Sequence, residues 1–220
     1  MTLLKQDYIM LILNCAKYRF KALRQKETWL LGLPSYLIYY HVLGSSLINK
    51  DYEFDDVNRV LRVNTADDYN SLPKKVYAAY KAISETYEFK YIFKTDDDQM
   101  LNNSHVFDMV LGLIAKEKSL NNFVHYGGNI VDIKIPHISE YYLIHSELPT
   151  NLIIQKTKYC SGRFYLLSYD AITYLLRKKE EICKEYFEDY AIGYNLNDAF
   201  KANMLQINTN IFFIDMPDVL

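Results

Sequence analysis

Six consecutive apolar residues, Tyr8-Ile-Met-Leu-Ile-Leu13, run without a polar break and stop at Asn14-Cys15-Ala16. A strand with one wet face alternates apolar and polar side chains, whereas an unbroken run suits a strand buried on both faces. Helices must then cover both sides of the sheet, which predicts a three-layer α/β/α fold around a mostly parallel sheet. The rest of the chain alternates in the same way. Residues 19–31, rich in Lys, Arg, Gln and Leu, predict a helix. Ser35–Leu43 and Arg59–Val63 predict strands, with Tyr52–Asp56 a polar connection between them. Ser71 is placed to cap the next helix and Pro73 to fit its first turn. Its apolar stripe is Leu72, Val76, Ala79, Tyr80, Ile83 and Tyr87.

Lys90–Lys94 predicts a strand that runs straight into Thr95-Asp96-Asp97-Asp98. Ser104 is placed to cap a helix whose buried stripe starts at Val106. Phe123–Val131 reads as a strand interrupted by Gly127-Gly128, and residues 132–158 show no assignable pattern. Cys160-Ser161-Gly162 reads as a turn, Ser168 as the cap of a helix reaching Cys183, and Ile211–Ile214 as the last strand. A further helix is expected after Glu188-Asp189. With no internal repeat or linker, residues 1–220 are expected to form one domain. Its nucleotide-binding half would cover about 1–100 and its acceptor-binding half about 101–220.

A formal net charge of −2 gives no electrostatic reason to expect a nucleic acid partner. Three cysteines, an odd number without CxxC spacing, argue against a disulfide scaffold. No segment approaches the ~20 apolar residues that a bilayer-spanning helix needs, so no membrane span is expected. The start also has no signal-peptide cleavage site, and a cytosolic protein is expected. GxGxxG, GxxxxGK[ST] and GxSxG are all absent. That weighs against a dinucleotide oxidoreductase, a P-loop NTPase and an α/β-hydrolase.

Two acidic clusters carry the chemistry. Asp96-Asp97-Asp98 follows a buried strand, and ligands of open α/β sheets bind outside the strand C-termini. Adjacent carboxylates repel one another unless a cation is present. Alternate ones, Asp96 and Asp98, can share a hard divalent cation such as Mn²⁺ or Mg²⁺, which would hold a nucleotide diphosphate. The plain alternative is a solvated acidic loop. Glu188-Asp189 can supply a base for an attacking hydroxyl, or can simply favour a helix N-terminus.

Five segments in order resemble the beta-1,3-galactosyltransferase/Fringe-like glycosyltransferases. Arg19 to Trp29 resembles R-x-x-x-I-R-x-T-W, with two extra residues before Thr28-Trp29. Asp67 to Lys75 resembles D-x-Y-x-N-L-T-x-K, and Lys94 to Asp98 resembles K-x-D-D-D. Tyr159 to Ser168 resembles Y-C-S-G-G-G-Y-V-L-S, and Glu188-Asp189 with Gly193 resembles E-D-V-x-x-G. The resemblance implies a GT-A fold and transfer of a sugar from a UDP-sugar to a hydroxyl of a glycan or glycoprotein, with inversion. It implies that Asp96 and Asp98 bind the metal, with Asp96 and Asp97 also facing the nucleotide. It further places Asn14 and Arg24 at the diphosphate, Asp67 near the uridine and Gly162 against the donor sugar. Asp189 would be the general base, with Glu188 beside it.

No histidine follows His145, where the family carries a metal-ligating one; Asp215 or Asp218 would take its place, or the metal would keep water there. The family's glycine triplet is reduced to Gly162, followed by Arg163 and Phe164. The missing anchor and stem point to a viral or bacterial enzyme. Two rival functions share these residues. One is a metal-dependent nucleotide-sugar pyrophosphatase or nucleotidyltransferase, which has no need of Asp189. The other is a non-catalytic carbohydrate-binding module of the same fold.

Overall fold

The computed structural model describes residues 2–216. Asp218, one of the two substitutes for the family histidine, lies outside them. The central sheet is built from β1 (Tyr8–Leu13), β2 (Leu37–Gly44), β3 (Tyr52–Asp55), β4 (Val60–Val63), β5 (Tyr91–Asp96), β6 (Tyr126–Ile133), β7 (Thr157–Ser168) and β8 (Leu205–Gln206). Their order across the sheet is β8-β6-β7-β5-β1-β2-β4-β3. β5, β1, β2 and β4 run parallel. β7 lies antiparallel between β5 and β6, and β3 folds back antiparallel on β4. The helices are α1 (Arg19–Glu27), α2 (Leu72–Thr86), α3 (Val106–Ser119), α4 (Tyr169–Leu175), α5 (Lys179–Cys183), α6 (Glu188–Asn195), α7 (Asp198–Lys201) and α8 (Thr209–Phe212).

The unbroken apolar run of β1 is buried on both faces, as its composition requires. Ile9 and Leu11 face the core beneath α2, with Val76, Ala79, Tyr80 and Ile83. Met10 and Ile12 face the opposite core, with Phe93, Phe107 and Val110 beneath α3. Successive side chains of a strand point to opposite faces, so the central strand feeds two cores at once. β1 is also where the strand order reverses. The chain passes from β1 to β2 on one side and later returns through α2 to β5 on the other. Such a switch point leaves a crevice at the strand C-termini, where Leu13, Gly44 and Asp96 end β1, β2 and β5.

The structure corrects several sequence expectations. Tyr52–Asp55 is an edge strand, its charged residues alternating with Tyr52 and Phe54, which pack on the core. Ser71 and Ser104 do not cap helices through their side chains. Asp68 takes the Ser71 N–H at 2.8 Å, and Asn103 takes the His105 N–H at 2.9 Å. Ser168 does cap α4, accepting from the Ala171 N–H at 3.2 Å. The expected helix through Cys183 is two, α4 and α5. Ile211–Ile214 is split between α8 and a short strand, Phe213–Asp215, which pairs with Gln99–Leu101.

Cys160-Ser161-Gly162 is not a turn. It lies inside β7, at a bulge where the pairing with β6 shifts between Cys160 and Tyr165. Bulges and turns draw on the same small residues, so the two read alike in sequence. The bulge re-aims Gly162 and Arg163 toward the end of β5.

Candidate active site

Lys94 and Asp96 are two residues apart on β5, so they share a face. Lys94 is 1% exposed, and its ammonium makes three contacts. Asp96 Oδ1 lies at 2.7 Å, Glu188 Oε2 at 2.8 Å and the Gly162 carbonyl at 2.9 Å. An ammonium has three donors, and all three are used. Burial works against the charged form of Lys94, but Asp96 and Glu188 outweigh it and hold the pKa above the ordinary lysine value. The other oxygen of Glu188 accepts from the Tyr165 hydroxyl, which in turn lies 2.7 Å from the Tyr80 hydroxyl of α2. Glu188 is thereby spent inside the protein as the counter-ion of Lys94.

Asp189 opens α6 beside it. Its Oδ2 accepts from the Gly162 N–H at 2.9 Å and its Oδ1 from the Tyr190 N–H at 2.7 Å. Burial raises the pKa of both Glu188 and Asp189, while Lys94 pulls each back. A side chain on the residue between these groups would make the neighbouring side chains give by a few tenths of an ångström. A β-carbon on residue 162 would stand 3.2 Å from Asp96 Oδ2, 3.3 Å from Lys94 Nζ and 3.6 Å from Asp189 Oδ2.

Next along the crevice, Gln99 Nε2 donates to Asp98 Oδ1 and to Asp215 Oδ1, each at 2.9 Å. Asp215 stands directly opposite Gln99 in the strand pair. Gln25, fully buried on α1, donates to the carbonyls of Asp96 at 3.2 Å and Gln99 at 2.9 Å. At the ends of β1 and β2, Asp67 Oδ1 accepts from the Gly44 N–H at 2.8 Å and from Lys75 at 2.5 Å. Its Oδ2 accepts from the Ala16 N–H at 2.7 Å. Lys75 also donates to the Asn14 carbonyl at 2.8 Å. Arg24, expected at the diphosphate, is half-buried on α1. Lys21, one turn earlier on that helix, and Lys75 are the cations that act on Asp97.

Burial pushes Asp96 up to about 6, against the pull of Lys94, although 37% of its side chain is open. Burial likewise pushes Asp97 up to about 7, against Lys21 and Lys75. Both folded-state values lie above the ordinary 3.8. These groups therefore contribute stability that is full below about pH 4 and lost as pH rises through 6 and 7. The thermal midpoint of the ligand-free protein is expected to fall between pH 5 and 8, with a shallower slope for Asp97→Asn. A midpoint that rises over that window in the parent chain would contradict this assignment.

Among the described residues, no three His, Cys, Asp or Glu side chains converge as a metal-holding group. The fit to a divalent cation rests on a smaller set. Asp98 and Asp215 share one amide donor, so their carboxylates approach each other. One or two carboxylates, completed by phosphate oxygens and water, are the usual protein share of a Mg²⁺ site. The hard-oxygen pair Asp98 and Asp215 fits that pattern. Asp96 has Oδ1 committed to Lys94, which leaves Oδ2 for a ligand.

The mixed sheet with its switch point at β1, and an acid-rich crevice at the strand ends, is the GT-A class of fold. It is shared by a glycosyltransferase involved in glycosylation of the major capsid of PBCV-1, with a TM-score of 0.53 at 10% identity. That overlay covers 97% of this chain and 94% of the other. The chain belongs to the galactosyltransferase family, whose model matches residues 42–204. The human UDP-GalNAc:beta-1,3-N-acetylgalactosaminyltransferase 1 is 26% identical over 181 residues, covering 79% of this chain and 50% of that protein. The enzyme of that name from Mus musculus is 25% identical over 201 residues, covering 88% and 52%. The chain thus spans about half the length of the curated relatives it matches. Both the family resemblance and the fold expected from the sequence are borne out. Among the described residues, no helix is long and apolar enough to cross a membrane.

Proposed function

We propose that the protein transfers a sugar from a UDP-sugar to a hydroxyl of a glycan or glycoprotein acceptor, with inversion and with help from Mn²⁺ or Mg²⁺. One observation carries this: the carboxylates of Asp96 and Asp189 both lie against the backbone of Gly162. A donor sugar laid on Gly162 has its diphosphate toward Asp96 and Asp98 and its anomeric carbon within reach of Asp189. The UDP-GalNAc donor and beta-1,3 linkage in the relatives' names support a UDP-sugar reaction and make UDP-N-acetylhexosamines the first donors to try.

In this scheme Asp189 takes the proton of the acceptor hydroxyl as its oxygen attacks the anomeric carbon, and the bond to the diphosphate breaks in line. Asp98 and Asp215, with Asp96 Oδ2, would hold the cation. When bound, that cation neutralises the charge gathering on the departing diphosphate. Lys94 keeps Asp96 and the Gly162 carbonyl in place. Asn14 Nδ2 is buried with no partner among the described residues, a donor that a nucleotide oxygen would satisfy. Asp67 has both oxygens engaged by backbone and Lys75, so its part at the nucleoside is to brace the loops after β1 and β2.

Calorimetry with UDP tests the donor site. Affinity is expected to drop at least about tenfold when EDTA replaces Mn²⁺, and to a similar degree for Asp98→Ala in Mn²⁺. Unchanged affinity in both cases would remove the metal from the proposal. Product analysis tests the reaction. Free UDP is the expected product, whereas UMP would indicate attack at phosphorus.

A further inference from the structure

We infer that Arg163 is a diphosphate-binding cation, an inference that rests on the transfer reaction proposed above. Arg163 follows Gly162 within the β7 bulge, at a position where the motif it resembles has glycine. Its backbone is fixed against β5, because the Thr95 hydroxyl donates to the Arg163 carbonyl at 2.6 Å. The side chain then reaches Asp215 and Asn210. One guanidinium nitrogen donates to Asp215 Oδ1 at 2.6 Å and the other to Asn210 Oδ1 at 2.8 Å. The same Asp215 oxygen takes the Gln99 amide that also binds Asp98. A guanidinium therefore sits on one of the two carboxylates that would hold the cation, and the Gln99 amide bridges from there to the other.

A guanidinium carries five N–H donors in a planar fork, and these two bonds use two of them. The remaining donors suit paired oxygens of a phosphate. The charge balance favours the same role. A diphosphate entering this end of the crevice would otherwise meet the negative charges of Asp98 and Asp215, and close like charges repel in a partly buried site. Arg163 offsets one of those charges without requiring a metal. UDP binding should then persist in part when divalent ions are removed, and the persisting part should depend on Arg163.

The competing role is a latch, in which Arg163 only ties the segment around α8 to the sheet. Calorimetry with uridine, UMP and UDP in EDTA separates the two, using the parent chain, Arg163→Met and Asn210→Ala. Arg163→Met is expected to weaken UDP binding about 10- to 100-fold in EDTA, the size of a lost charge-assisted contact. The loss should be smaller in Mn²⁺, and uridine binding should not change. Asn210→Ala removes a latch bond but keeps the charge, so its UDP affinity should match the parent. Should Arg163→Met fail to fold, Arg163→Lys retains a charge without the fork and should show a smaller loss specific to UDP. Equal UDP affinity in the parent and the Arg163 variant would overturn the inference. So would a uridine loss as large as the UDP loss, or an Asn210→Ala loss as large as that of Arg163→Met. These outcomes leave the transfer reaction standing. A parent chain that binds no UDP even with Mn²⁺ would overturn both.

Discussion

Asp189→Asn is expected to lower the transfer rate about 10²- to 10⁴-fold while sparing UDP-sugar affinity. A general base acts on the transition state, and donor binding does not require it. The substitution is not silent for the fold. Each Asp189 oxygen accepts a backbone N–H, from Gly162 and from Tyr190. Asparagine has a single acceptor oxygen, so its amide nitrogen must face one of those donors. An unmet buried N–H costs about 1–3 kcal/mol, and the variant should unfold at a lower temperature. Rate and affinity are therefore compared well below that midpoint. Donor affinity falling in step with rate would move Asp189 into the nucleotide or metal site. If neither changes, the carboxylate serves only the start of α6.

Lys94→Met should cost about 3–5 kcal/mol of folding stability at neutral pH, the usual result of removing one partner of a buried ion pair. Glu188 would be left with the Tyr165 hydroxyl, and Asp96 would lose its anchor. Burial already favours the protonated form of Glu188, so the deficit should shrink in mild acid, where that carboxylate takes up a proton. Adding Glu188→Gln to Lys94→Met should restore part of the loss, because the second unpaired charge is gone. Denaturant unfolding of the three proteins measures this. A Lys94→Met penalty below about 1 kcal/mol would mean that the ammonium is replaced by solvent.

The sheet was legible because its signals are local. β1 declares its two-sided burial in six adjacent residues, and β5 announces its end with the acidic triplet. The place of Asp189 beside Glu188 and ahead of Gly193 singles it out in the sequence, and its carboxylate lies on the Gly162 N–H. The cations were not so legible. Lys75 and Lys94 sit inside segments that carry the family resemblance and pair with Asp67 and Asp96 of those same segments, yet nothing there names their more distant partners, the Asn14 carbonyl and Glu188. Lys94 meets Glu188 only because α6 folds back on β5 and β7. Arg163 read as a departure from a glycine pattern, since Asp215 and Asn210 reach it from a different part of the chain. Gln25 and Gln99 carry no charge pattern at all, and only the packing of α1 over the strand ends shows what they join. Glu188 faces inward, onto Lys94 and Tyr165, because the face of a helix that a residue takes is set by tertiary packing.

The pairing of Gln99–Leu101 with Phe213–Asp215 bears on how the protein is made. Synthesis runs from the N-terminus, so Asp98 and Gln99 leave the ribosome well before Asp215, 116 residues beyond Gln99. Until then the carboxylate pair does not exist, and the carbonyl of Asp98 lacks the Met216 N–H that binds it at 2.6 Å. Contacts this far apart in sequence form late, because the loop between them must be ordered first. A nascent chain can lay down β1, β2, β4 and β5 and still lack Asp215, one half of the proposed cation site. If the proposed reaction holds, competence to bind a donor waits for the segment that carries Asp215, and ribosome-stalled fragments ending before Phe213 should be inert toward UDP even where their sheet has formed.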